Sequence, residues 1–165
     1  MAYYSHISTG WKSLDMIIDH LRSGDNVVWQ VDSIDDYQRL VLPFVANAIA
    51  ENQRVVYLRF GRHTPLLEER ANLSIYRLQS ENSFESFSAK VHSIITREGR
   101  DVRYVFDSLS DLLYLWATDA MISDFFFYNL PLSVSIKYHC LFRHNTEQSL
   151  LQGYRPNPGN YPGPN

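Results

Sequence analysis

The chain has 165 residues, 45% of them hydrophobic and 14% aromatic, and a formal net charge of -3. That length suits one domain with a sizeable core, and the charge balance excludes a global attraction for nucleic acid or for an anionic membrane surface. Cys140 is the single cysteine, which excludes an internal disulfide and a cysteine-rich zinc site and points to an inert buried thiol. No apolar run approaches 18 residues and the start MAYYSHISTG lacks the basic-then-apolar order of a secretion signal, so a cytoplasmic location is expected.

Leu14, Ile17, Ile18 and Leu21 recur at helical spacing after Ser8-Thr9-Gly10 and before Ser23-Gly24-Asp25, which predicts a short first helix. The stretch NVVWQVDSIDDYQRLVLPFV then reads as a buried strand over 26–31, a turn over 32–36 and an amphipathic helix leaving that turn at about Asp36. Leu40, Phe44, Val45, Ala48 and Ile49 share one face of this helix, and Pro43 predicts a kink. Strands are expected over 54–60 and 73–78, then a helix over 83–97 with Phe84, Phe87, Val91, Ile94 and Ile95 on its apolar face and Glu98-Gly99 as its stop. A strand over 102–106 ends in Asp107-Ser108, helical patterns cover 109–116 and 118–130, and a last strand runs over 135–142. The end, GYRPNPGNYPGPN, has the composition of a tail or linker, so the domain is placed at 1–150 and the tail at 151–165.

Strands alternating with helices at these intervals predict an α/β fold with a mainly parallel sheet covered on both faces. Such sheets bind ligands at the carboxyl ends of their strands. The residues there are the turn 32–36, Arg59, Gly61-Arg62-His63, Asp107-Ser108 and Arg143-His144.

With those residues placed, the sequence resembles the RecA/KaiC-like branch of P-loop ATPases from Ser8 to about Arg143. The features that carry the resemblance are Ser8-Thr9-Gly10, Leu14-Asp15, Gly24 before the first long strand, and the apolar strand ending in Asp107-Ser108. More narrowly, GDNVVWQVDSIDDY, YLRFGRHTPLLEE and YVFDSLSDLLYLWATD are similar to a RecA-like region of some phosphoenolpyruvate synthase or pyruvate phosphate dikinase-related proteins. The resemblance implies a three-layer sandwich with a RecA-like P-loop fold, Asp107 at the position that holds magnesium or its water, and a sensor strand ending at Arg143-His144.

The departures from that pattern matter more for function. A phosphate-binding loop needs glycines for close backbone approach, a Lys for the β and γ phosphates and a Ser or Thr for magnesium. Aligned on that loop, which spans Val31, Asp32, Ser33, Ile34, Asp35, Asp36, Tyr37 and Gln38, Val31, Ile34 and Asp36 stand at glycine positions, Tyr37 at the Lys and Gln38 at the hydroxyl. Asp35 and Asp36 would repel phosphates by on the order of a few kcal/mol each at an effective dielectric of about 20. Arg59-Phe60-Gly61-Arg62 replaces the family's catalytic carboxylate after its second strand. Ordinary ATP hydrolysis is therefore not expected, and no catalytic residue or metal ligand is assigned.

Asp32, Asp35 and Asp36 read as helix-capping residues. Asp107 reads as hydrogen-bonded to a neighbouring turn, and the zinc alternative through His63 and His144 lacks ligand spacing. Arg59, Arg62, His63, Asp107, Ser108, Arg143 and His144 form a candidate anion or nucleotide site, with internal salt bridging as the competing reading. The expectation is a non-catalytic interaction or regulatory domain with a protein partner or a second copy of itself, docked through the 26–31 strand as a sheet edge or through the adjoining helix. No cofactor, nucleic acid or membrane is expected. The alternatives are ATP, magnesium-dependent or otherwise, or another anion bound without the usual loop, and an accessory domain of a phosphoenolpyruvate synthase-type phosphotransferase.

Overall fold

The computed structural model describes residues 6–22, 25, 27–79, 83–99, 101–107, 111–112 and 139–142. In chain order the elements are β1 (His6–Ile7), α1 (Lys12–Ile18), β2 (Leu21–Arg22), β3 (Val28–Val31), α2 (Ile34–Ala50), β4 (Arg54–Arg59), β5 (Leu73–Arg77), α3 (Phe84–Glu98), β6 (Val102–Phe106) and β7 (His139–Phe142). The helical patterns over 113–130 and the tail lie outside the described residues, as do Asn26 and the first residues of the 135–142 strand.

A parallel sheet of order β5-β4-β6 forms the centre, with Tyr57 opposite Ile75 on one side and Val105 on the other. Strand alternation divides its side chains between two cores. Val56, Leu58, Phe60, Tyr104 and Phe106 meet Phe87, Val91, Ile94 and Ile95 of α3. Val55, Tyr57, Leu73 and Val105 meet Tyr37, Val41, Phe44, Val45 and Ala48 of α2. Burial on both faces explains why Val55, Val56, Tyr57 and Leu58 form an unbroken apolar run, all at most 1% exposed. The fold is thus α/β with a parallel sheet between helices. A second parallel pair joins β3 to β7, from Val28 opposite His139 to Val31 opposite Phe142, so one edge of β3 is occupied.

Two elements differ from the sequence expectation. The first helix stops at Ile18 because Asp19 and His20 turn into the left-handed region at φ 56° and 59°. Leu21, expected on its apolar face, instead lies in β2 opposite Ile7, while Ile17 is left 80% exposed. The buried member of α1 is Asp15, which accepts from Ser8 Oγ and, at 2.7 Å, from the Thr9 amide. Burial opposes its ionisation, but the Ser8 and Thr9 hydrogen bonds outweigh that and lower its pKa.

The second helix begins at Ile34, two residues earlier than expected, because Ser33 is its N-cap. Ser33 Oγ accepts from the Asp36 amide at 3.1 Å and donates to the Asp36 carboxylate at 2.7 Å. The helix runs through Pro43 to Ala50. Proline removes the N–H that would bond the Arg39 carbonyl four residues back. The Trp11 indole N–H supplies the replacement, donating to Arg39 O at 3.2 Å. Gly10 makes this approach possible: at φ 85° it lies so close that a Cβ would stand 2.4 Å from the Pro43 carbonyl carbon and oxygen. Gly10→Ala should therefore lower the urea-unfolding free energy by about 1–3 kcal/mol through overpacking and left-handed strain. An unchanged midpoint would show that Gly10 is not held against α2.

Candidate functional site

The carboxyl ends of β4 and β6 meet at Asp107, which has no exposed surface. Its backbone amide donates to Leu58 O at 3.0 Å, extending the β4–β6 ladder by one rung and fixing the side chain's direction. Position 107 shares the strand parity of Arg103 and Val105, so the carboxylate points to the face covered by α2.

Three hydrogen-bond donors and a histidine ring close on that carboxylate. The Tyr57 hydroxyl donates to Oδ1 at 2.8 Å, and the Phe60 and Gly61 amides donate to Oδ2 at 3.0 and 2.7 Å. His63 Nε2 lies 2.7 Å from Oδ1, a short contact that approaches obliquely rather than along a straight hydrogen bond. A carboxylate offers about four lone-pair positions. Three of those of Asp107 are taken by hydrogen bonds from the protein itself, and the His63 ring stands against Oδ1.

Electrostatics follow from this enclosure. Burial alone would raise the Asp107 pKa, but the His63 contact, the Gly61 amide and the Tyr57 hydroxyl together hold it below the usual carboxylate range. The Tyr57 pKa is raised well above that of a free phenol, first by burial and then by the charge of Asp107. His63 is raised by its hydrogen-bonding contact with Asp107, against the opposing effect of burial. Burial also raises Asp111. The His63 and Asp111 side chains crowd Gly61: a Cβ there would lie 2.7 Å from both Asp111 Oδ2 and His63 Nε2, so one of them would have to shift.

The loop that carries these donors is fastened elsewhere too. Arg59 Nη2 donates to the His63 carbonyl, His63 Nδ1 lies 2.7 Å from Thr64 O, and Gln38 Nε2 reaches Leu66 O at 3.5 Å. Leu66 and Leu67 are buried in the core beneath α2.

Of the candidate anion-site residues, Arg59, His63 and Asp107 are thus brought together: the His63 ring turns to Asp107, and the Arg59 guanidinium bonds the His63 carbonyl. Arg62 is exposed in the same loop. Ser108, Arg143 and His144 lie outside the described residues. Asp107 takes up the neighbouring turn as the strand-end reading expects, and His63 joins it as an ion-pair partner. Among the described residues no group of three or more His, Cys, Asp or Glu side chains is arranged to hold a metal.

The positions that the resemblance aligns on a phosphate loop have structural occupations of their own. Val31 ends β3, Asp32 and Ser33 make the turn, and Ile34, Asp35, Asp36, Tyr37 and Gln38 open α2. Asp32 and Asp35 are exposed, and Asp36 completes the cap and lies 3.9 Å from Arg39. Tyr37 is completely buried, its hydroxyl donating to Phe106 O at 2.7 Å. It therefore ties the first turn of α2 to the end of β6.

Sequence reasoning placed Gly61 at the strand end beside His63 but did not single out Tyr57 or Asp111 for this cluster. Strand parity was the available signal: Tyr57 faces the same side as Asp107, but only the register of β4 on β6 shows that they meet. No family model matches the chain, and no curated protein is significantly similar to it. Among the described residues no helix is long and apolar enough to cross a membrane.

Asp107→Asn removes the buried charge and sets an amide donor among donors. It should cost about 3–5 kcal/mol in urea unfolding at neutral pH. Because the folded Asp107 pKa is depressed, its contribution is present above the unfolded value of about 3.9 and lost as pH falls through the folded one. The variant should accordingly lose less stability than the parent on acidification, whereas parallel stability–pH curves would contradict this role.

Proposed function

We propose that the chain is a RecA-like α/β domain whose nucleotide site has become part of the fold, and that it serves as a non-catalytic interaction or regulatory module. The observation that carries this reading is the paired fate of two positions. Tyr37, where the resemblance places the phosphate-binding Lys, is a core residue bonded to Phe106 O, and Asp107, where it places the magnesium carboxylate, is enclosed by Tyr57, Phe60, Gly61 and His63. Neither can reach a nucleotide without breaking a buried contact.

The parallel sheet with helices on both faces supports the RecA-like fold, as does the strand ending at Asp107. The anion-binding alternative has less support, since Arg59 is engaged with the loop and Asp107 with its own donors. A partner surface is available on α1, where Met16 and Ile17 are 74% and 80% exposed, beside Trp11 at 45%. Exposed apolar groups of that size favour contact with protein.

Titration calorimetry with magnesium and ATP should give no binding heat at millimolar nucleotide, and thermal unfolding should not shift. Binding that Asp107→Ala abolishes would overturn the proposal in favour of a working nucleotide site.

A further inference from the structure

Both ring nitrogens of His63 face atoms that only accept. Nδ1 lies 2.7 Å from the Thr64 carbonyl oxygen and Nε2 lies 2.7 Å from a carboxylate oxygen of Asp107. A neutral imidazole carries one N–H, so it can serve one of these acceptors while its other nitrogen turns a lone pair toward an oxygen. The imidazolium, with two N–H groups and a positive charge, leaves no lone pair facing either oxygen. It donates from Nδ1 and meets Asp107 as an ion pair, since Nε2 approaches too obliquely for a straight hydrogen bond.

The surroundings favour that charged form. Asp107 approaches from the end of β6 and Asp111 from just beyond it, and Asp111 adds to the attraction. Arg62, next to His63 in the loop, acts on Asp111 and pulls its pKa down against the effect of burial. Arg59, at the end of β4, directs its guanidinium to the His63 carbonyl, and Tyr57 shares Asp107 Oδ1 from the same strand.

We propose that the segment from Phe60 to Leu67 is a pH-operated latch, held against the end of β6 by a protonated His63 and loosened when the ring loses one proton. The segment is suited to local release. Its ends are fixed by Phe60, packed edge-on against Phe87, and by Leu66 and Leu67 in the core, while Arg62, Thr64 and Pro65 are exposed. After deprotonation Asp107 keeps Tyr57, Phe60 and Gly61 as donors, so the sheet stays intact while the loop tip loses its ion pair and is held by the Arg59 bond to the His63 carbonyl. The raised His63 pKa sets the window. The latch is fully closed below the ordinary histidine value of about 6.5 and opens as pH rises through the higher folded value. This inference does not depend on the domain having a partner or on the loss of nucleotide binding.

The test uses the full chain and two NMR measurements across pH 5.5–9, a range of about three units around the histidine pKa. The His63 ring carbon shift reports its titration, and amide hydrogen-exchange protection, corrected for intrinsic base catalysis, reports loop opening. The ring should titrate above its ordinary value. Protection at Arg62, His63 and Leu66 should fall about tenfold for each unit of that elevation, while amides in α3 hold theirs. In His63→Gln the pH dependence at the loop should vanish. The proposal is overturned by a ring that titrates at or below its ordinary value, by loop protection that does not change with pH, by an equal change in α3, or by a dependence that survives in His63→Gln. If that variant fails to fold, the titration and exchange of the unaltered chain decide alone.

Discussion

A buried carboxylate in an apolar sheet is costly unless donors compensate it, and Asp107 is compensated from three directions. Tyr57 reaches it from the neighbouring strand, Phe60 and Gly61 from the backbone that leaves that strand, and His63 from the loop beyond. Each donor therefore fixes a different piece of chain: the register of β4 on β6, the direction in which the chain leaves β4, and the fold-back of the loop. The side chains of His63 and Asp111 pack closely over the Gly61 Cα. Tyr37 adds the helix above the site by bonding the last carbonyl of β6, one residue before Asp107.

The same logic recurs at the N-terminal side of the domain. Asp15 is a second buried carboxylate, gathering Ser8 and Thr9 and so positioning Gly10 and Trp11 against α2. Trp11 then satisfies the carbonyl that Pro43 leaves open. Polar groups that look like ligands in the sequence thus act as fasteners between elements. Arg103 is a third case: buried on β6, it pairs with Glu51 at the end of α2 and lies over the Phe44 ring.

Much of the framework was legible because it is local. The strand over 102–106, the α3 helix with its Ser83 cap and Gly99 stop, and the buried face of α2 follow from apolar period and terminal residues. Where reading failed, non-local geometry decided. Leu21 keeps helical spacing with Leu14 and Ile17, yet left-handed Asp19 and His20 end the helix and give Leu21 to a strand whose partner is Ile7. The Asp107 site was half legible: a strand-end aspartate bonded to a neighbouring turn follows from type and position. Its donors Tyr57 and His63 do not, because their meeting depends on register and on the path of a loop containing Thr64-Pro65.

The central claim is that Asp107 and Tyr37 belong to the interior rather than to a nucleotide site. A crystal structure grown with magnesium and millimolar ATP tests it most directly. The account predicts Asp107 still bonded to Tyr57, Phe60 and Gly61, Tyr37 still bonded to Phe106 O, and no phosphate at the Asp32–Asp36 turn. Phosphate density at that turn, or a magnesium ion bound by Asp107, would contradict it.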